Sequence, residues 1–393
     1  MNGIVNAHKA EFDAEPEVVV EVPQVTTFLG AFADFCKGYS LMSTNTQGLR
    51  VAISRRPDQM VIAFNSTSKE RKKFQLTGIR AKREDRWASV IKGLCQLLIA
   101  SGFRLPSGFN LTIKGQSAVA DPPALSAALA SGLVVAFNEL FSFGIEPNNL
   151  VRYAYSVNKY TDKYKSRLRD LITIFTAEQG KMMLFDLETC AHKTFDYPFR
   201  KGGKTGSWFI DCSLPADELS SEVSLFRENA EAAFSMLRSM LPEKEKVREL
   251  THKDIVQNYP RIPEDYKRII RFILEDSTAA LKCYDYLLSG DAVSIGKILT
   301  YEQRNISTLA ELTSPEVDWL VKRGSETDGV NGVTEISVGI TGTLVALVDE
   351  ANLEEYKTQL KEYERIFGFK PVVREYIPSG AIKVIDKDEY PSV

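Results

Sequence analysis

Short runs of β-branched residues alternate with longer stretches of helical spacing along the chain. Apolar runs at 18–22, 50–54 and 60–64 predict three strands; the last two are joined by RRPDQ, whose Pro57-Asp58 suits a tight turn. Residues 87–101 put Val90, Ile91, Leu94, Leu97 and Leu98 on one helical face and stop before Gly102. Then follow a strand at 110–113, a strongly apolar helix at 123–141, a basic helix at 150–164 and a strand at 181–187. RKGGKTGS, residues 200–207, breaks the pattern and marks a loop or domain boundary. Beyond it the spacing predicts a strand at 208–211 and helices at 221–240, 264–288, 293–303 and 315–322. A strand, a helix and a strand close the pattern at 344–348, 353–367 and 371–375. Helices on antiparallel strands in two halves predict a two-lobed α+β protein. Residues 1–15, polar and aperiodic, are expected to form a flexible N-terminus.

Composition narrows the classes. With 393 residues, 44% hydrophobic and 26% charged, the chain can build a real core and exceeds what one core usually serves. A net charge of −3 does not suit neutralising a phosphate backbone, so no nucleic-acid partner is expected. The basic stretch 67–85 lacks interleaved aromatics for base stacking and reads as a solvated hairpin face. Five scattered cysteines form no CxxC pair, which argues against a disulfide framework and a zinc site. The start has no signal-peptide pattern and no membrane span is expected, so a cytoplasmic location fits. His8, His192 and His252 stand alone, without companions at metal or triad spacing, and read as structural or surface groups. Met182 and Met183 read as strand core.

Four segments carry a resemblance to the galactokinases, within the GHMP sugar and metabolite kinases. VPQVTTFLGAFADF, residues 22–35, is similar to the family signature PGRVNLIGEHTDY, with Pro23, Gly30 and Asp34 on its Pro, Gly and Asp. VAISRRPD, residues 51–58, resembles the strand-turn stretch that follows. GQSAVADPPALSAAL, residues 115–129, lies without gaps on the phosphate-binding GDVPLGAGLSSSAAL. The segment 150–186 lies on the stretch holding GIMDQ and puts Asp170 on the family's catalytic aspartate. SGDAVSIGKIL (289–299) and SPEVDWLV (314–321) resemble a family helix pair, and GVTEISVGITGTLVALV (332–348) lies on GARMTGGGFGGCTVALV.

The resemblance covers roughly residues 16–380 and implies a two-lobed GHMP kinase fold. Its N-terminal lobe would be ribosomal protein S5 domain 2-like and its C-terminal lobe ferredoxin-like. The expected divisions are 1–15 flexible, 16–205 the N-terminal lobe and 206–385 the C-terminal lobe. The family binds galactose and Mg-ATP between its lobes and phosphorylates the sugar at its 1-hydroxyl.

Read chemically, the motifs are eroded. Phosphoryl transfer depends on positioning and on stabilising charge at the transferred oxygens. The family loop offers backbone N–H groups to the phosphates at a helix N-terminus. Here it contains Asp121, Pro122 and Pro123, with only Ser126 left of the serine triplet. Two prolines remove two donors, and a carboxylate about 5 Å from a phosphate costs roughly 3 kcal/mol at an effective dielectric near 20. The bland reading is a core helix capped by Asp121 with proline in its first turn.

Val25 replaces the arginine that stabilises transition-state charge, and Ala31-Phe32 replaces the Glu-His pair of the sugar pocket. Asp34 is either a hydrogen-bond partner for sugar hydroxyls or a turn aspartate. Asp170 is either a positioned base or one partner of a structural salt bridge with Arg167 and Arg169. The C-lobe glycine motif retains Gly339 and Gly342, with Gly332 upstream, while Ser337, Val338 and Thr341 replace glycines. Val223 falls near the family's sugar-contacting tyrosine. The basic run 159–169 reads as a solvated helix face or the lining of an anion or partner site.

The resulting expectation is a galactokinase-family pseudo-enzyme that binds a sugar-like ligand or a protein partner. The alternative is an active, divergent sugar kinase. No cofactor is expected, and Mg-ATP enters only under the kinase alternative. No metal site is expected.

Overall fold

The computed structural model describes residues 2–80, 82–115, 122–161, 165–214, 220–242, 245–336 and 342–386. The first stretch of chain order is α1 (Asn2–Phe12), β1 (Val18–Leu29), β2 (Tyr39–Arg55), β3 (Met60–Asn65), β4 (Glu70–Gln75), α2 (Ala88–Ala100) and β5 (Phe109–Gly115). Next come α3 (Pro122–Phe141), α4 (Pro147–Ser156), α5 (Leu168–Thr176), β6 (Lys181–Asp186), β7 (Ala191–Asp196) and β8 (Thr205–Asp211). Then follow α6 (Ser220–Met240), α7 (His252–Asn258), α8 (Glu264–Ser289), α9 (Ala292–Asn305) and α10 (Pro315–Ser325). The order closes with β9 (Val330–Glu335), β10 (Thr343–Asp349), α11 (Leu353–Phe367), β11 (Val372–Glu375) and β12 (Lys383–Ile385).

The chain forms two compact units, both discontinuous in sequence. Unit 1 comprises residues 1–25, 44–178 and 379–393, and unit 2 comprises 26–43 and 179–378. β1 and β2 each run from one unit into the other.

In unit 1 the strand order is β12-β1-β2-β5-β3-β4, with β3 parallel to β5. Successive side chains of a strand face opposite sides, and this divides the core. Val18, Val20 and Val22 of β1, with Leu49, Val51 and Ile53 of β2, face a large cluster built by α2, α3, α4 and α5. Val19 and Ala52 face the other way and pack against Ile4 and Val5 of α1. Residues 2–12 are therefore a seated helix and not the flexible segment the sequence predicts. Ile4, His8 and Phe12 recur every four residues, and His8 hydrogen-bonds Thr112 Oγ1 and Ser54 Oγ at 2.9 Å each. The basic run behaves as expected: β3 and β4 form a hairpin, and alternate β4 residues are exposed. One described helix, residues 123–141 of α3, is long and apolar enough to cross a membrane, but 72% of that window is buried in the fold.

In unit 2 an antiparallel sheet runs β11-β8-β10-β9. The same alternation applies: Leu344, Ala346 and Val348 of β10 join α10 and α11, while Val345 and Leu347 join α8 and α9. Gly296 of α9 meets β9 backbone to backbone. A methyl group there would lie 2.0 Å from Asn331 O, and one at Gly332 would lie 2.4 Å from Gly296 O. Gly332 is thus a packing glycine. Residues 39–42 of β2 pair with β6, which pairs with β7. Met182 and Met183 are buried there, as the sequence predicts.

Candidate functional site

In unit 2, β1 ends at a sharp turn. Gly30 has φ +77, and a Cβ would lie 2.1 Å from Tyr39 O, so only glycine fits without distortion. The buried carboxylate of Asp276, on α8, accepts from Gly30 N–H at 2.9 Å and Ala31 N–H at 3.1 Å. Ser277 Oγ accepts from Tyr39 N–H at 2.7 Å. No motif in the sequence pointed to Asp276 or Ser277, which lie about 240 residues from the turn they hold.

Phe32 and Ala31, which the sequence resemblance sets against a Glu-His pair, are buried. The Phe32 ring packs 4.7 Å from Phe226 and 6.1 Å from Phe272, with the Arg227 guanidinium 4.9 Å over its face. An apolar cluster therefore occupies this position. Asp34 follows in the single 3-10 turn Ala33–Phe35 and is exposed. Cys36, two residues on, is buried, and burial pushes its thiol up to about 12. Val223, on α6, is buried as well.

In unit 1, Asp170 sits in the first turn of α5 and is only 1% exposed. Arg167 Nε donates to its Oδ2 at 2.6 Å, and Arg169 Nε lies 3.7 Å from Oδ1. Such a buried carboxylate is held by charge and hydrogen bonds together. Ser126, in the second turn of α3, is buried and accepts from Ser166 Oγ at 3.1 Å. Ser166 is tied in turn to Asn158, which accepts its N–H at 2.8 Å and donates to its carbonyl at 2.9 Å. The structure thus brings the start of α3 to the segment that enters α5. Val25, which the sequence resemblance sets against an arginine, is half-buried and packs on the unit 1 core.

α3 begins at Pro122-Pro123, where proline's fixed φ suits a first helical turn. Asp121 lies outside the described residues, as do Gly339, Ser337, Val338 and Thr341. Gly342 precedes β10 with φ +55, and its carbonyl accepts from Cys212 N–H at 2.9 Å. His192 is exposed and His252 half-buried. Among the described residues no group of three or more His, Cys, Asp and Glu is placed to hold a metal ion, and all five cysteines are free thiols.

No family model matches the chain. A Treponema pallidum protein provisionally named a galactokinase is 24% identical over 98% of this chain and 97% of its own length. A Pyrococcus furiosus galactokinase is 23% identical over 90% and 98%. Among solved structures, Lactococcus lactis galactokinase complexed with galactose superposes with a TM-score of 0.83, at 20% identity over 97% of this chain and 98% of that one. A mevalonate kinase follows at 0.58, with 16% identity over 94% and 99%. The superpositions show an α+β GHMP kinase fold. Over nearly its whole length the chain is thus similar to galactokinases, and its fold is theirs.

Proposed function

We propose that this chain is a galactokinase-family pseudo-enzyme that has kept a binding role, for a sugar-like ligand or a protein partner, and has lost efficient phosphoryl transfer. The observation that carries this reading is the packing of apolar side chains, Ala31 and Phe32 buried and Val25 half-buried, at three family positions. Val25 packs on the unit 1 core, and Ala31 and Phe32 lie in an apolar environment. A kinase needs a cation near the transferred phosphoryl group and polar partners for the sugar. Apolar groups in a packed core supply neither. Two prolines opening α3 remove backbone donors where the family cradles phosphate. Mg-ATP is accordingly left outside the role, as is any resident metal. Free thiols and the burial of α3 in the fold support a cytoplasmic location.

One observation favours the other reading, an active divergent sugar kinase. Arg167 and Arg169 bring cations to Asp170 from its own segment, which offers a replacement for the arginine missing at Val25.

Sugar-dependent ADP release separates the two. Purified wild type, Val25→Arg and Asp170→Asn are compared with Mg-ATP, galactose and related sugars. The pseudo-enzyme reading expects no sugar-dependent turnover in any of them, because catalytic groups acting as a unit are not restored singly. Turnover in wild type that falls roughly 10²–10⁴-fold in Asp170→Asn, the usual contribution of a positioned base, overturns it.

A further inference from the structure

Unit 2 holds a cavity whose lining shares Lys297 and Ile298 with the 289–299 segment and includes no residue of the segments at 22–35, 115–129, 150–186 or 332–348. It measures about 600 Å³ and lies between α8, α9 and the segment entering α7. That size suits a small organic ligand. Its apolar floor includes Leu250, Leu274 and Ala279, all buried.

The polar lining is unusual in its balance. Lys253, Lys282 and Lys297 contribute three ammonium groups, and none closes an ion pair among the described residues. The negative groups opposite are already accounted for. Glu275 accepts from Arg271 Nε at 2.8 Å and from the Tyr301 hydroxyl at 3.2 Å. Glu302 is 2% exposed, and its nearest polar partner is Asn305 Nδ2 at 3.4 Å, a long contact. Burial, with the Asp276 carboxylate nearby, lifts Glu302 to about 8, so at neutral pH it is mostly the neutral acid and can donate a hydrogen bond. His252 adds a buried Nδ1 that has no hydrogen-bond partner among the described residues.

We infer that this cavity is a binding site for a small phosphorylated polyol, separate from the family's sugar and nucleotide positions. The three lysines meet the phosphate as point charges. The Tyr301 hydroxyl, the Glu302 carboxyl and the His252 ring meet hydroxyl groups, and the apolar floor takes the carbon face. A site of this kind on α8 and α9 is a place for an effector and contributes no group to phosphoryl transfer. It stands whether or not the chain retains kinase activity.

The test is calorimetric titration of the full chain with glucose 6-phosphate and, separately, with inorganic phosphate. Glucose 6-phosphate is expected to bind saturably at one site with Kd below about 1 mM, and phosphate alone at least about 10-fold more weakly. The double variant Lys282→Ala/Lys297→Ala, changed only at surface lysines, is expected to lose at least about 10-fold in affinity with its melting temperature retained. Glu302→Gln keeps a neutral donor there and is expected to bind within about 2-fold of wild type. An unchanged Kd in the double variant overturns the inference, since binding is then elsewhere. Absence of saturable binding by either probe overturns it too. Equal affinity for phosphate and the sugar phosphate overturns the polyol assignment.

Discussion

Asp34 and Asp170 are the two aspartates that the sequence resemblance singles out, yet the protein treats them differently. Asp34 lies in unit 2 on an exposed single turn, immediately after a backbone turn fixed by Asp276 and beside the buried Phe32. Asp170 lies in unit 1, is almost wholly buried and is clasped by Arg167. Around the first, aromatic rings pack beside a backbone turn that a distant carboxylate holds. Around the second, a carboxylate is buried against guanidinium groups from its own segment. The difference is one of range: the turn before Asp34 depends on a partner far away in sequence, and Asp170 on neighbours one and three residues away.

The largest test of this contrast is to remove each carboxylate. Asp170→Ala takes a counter-charge from the buried Arg169 and the half-buried Arg167 and is expected to cost about 3–5 kcal/mol in denaturant unfolding. Asp34→Ala, on an exposed turn, is expected to cost under about 1 kcal/mol. Equal losses at the two sites would break the contrast.

The second largest effect concerns another buried titratable group of unit 1, His8. Burial among Thr112 and Ser54 lowers His8 from its ordinary 6.5 to about 4. The unfolded chain therefore binds a proton that the folded one refuses between those values. Stability from this group is complete above pH 6.5, declines as pH falls and is lost by pH 4. The total is about 3 kcal/mol by linkage. Unfolding free energies of wild type and His8→Gln measured from pH 7 to pH 4 should converge toward acid. Parallel curves would show that His8 is not the acid-sensitive group.

A smaller effect is expected at Gly30. Gly30→Ala brings a Cβ against Tyr39 O in a left-handed backbone conformation, for a loss of about 2 kcal/mol. The melting temperature should fall by several degrees. No change would mean that the turn relaxes freely and that Asp276 does not fix it.

Much of this was legible in the sequence because strand and helix patterns are local. The apolar runs at 18–22 and 344–348 predicted β1 and β10 without any partner being known, though not which way their side chains face. The arginines beside Asp170 were legible for the same reason, being one and three residues away. The α1 helix was not, because its stripe of buried Ile4 and His8 and half-buried Phe12 includes a histidine that periodicity counts as polar. α5 is only nine residues long and opens among charged side chains, so its helical period had little room to show. The grip of Asp276 on Gly30, and the meeting of Gly296 with Gly332, join residues distant in sequence through tertiary packing, which no local pattern encodes.

The edge pairing of β1 with β12 sets an order of events during synthesis. Val19, Val20 and Glu21 face Ile385, Val384 and Lys383 in antiparallel register. The two segments leave the ribosome about 360 residues apart, on the order of half a minute at ordinary elongation rates. Throughout that interval the nascent β1 carries an unpaired edge rich in valine, the kind of surface that recruits other strands. A chaperone holding that edge early, and released only once residues 383–385 arrive, would raise the soluble yield more than one acting on the finished chain.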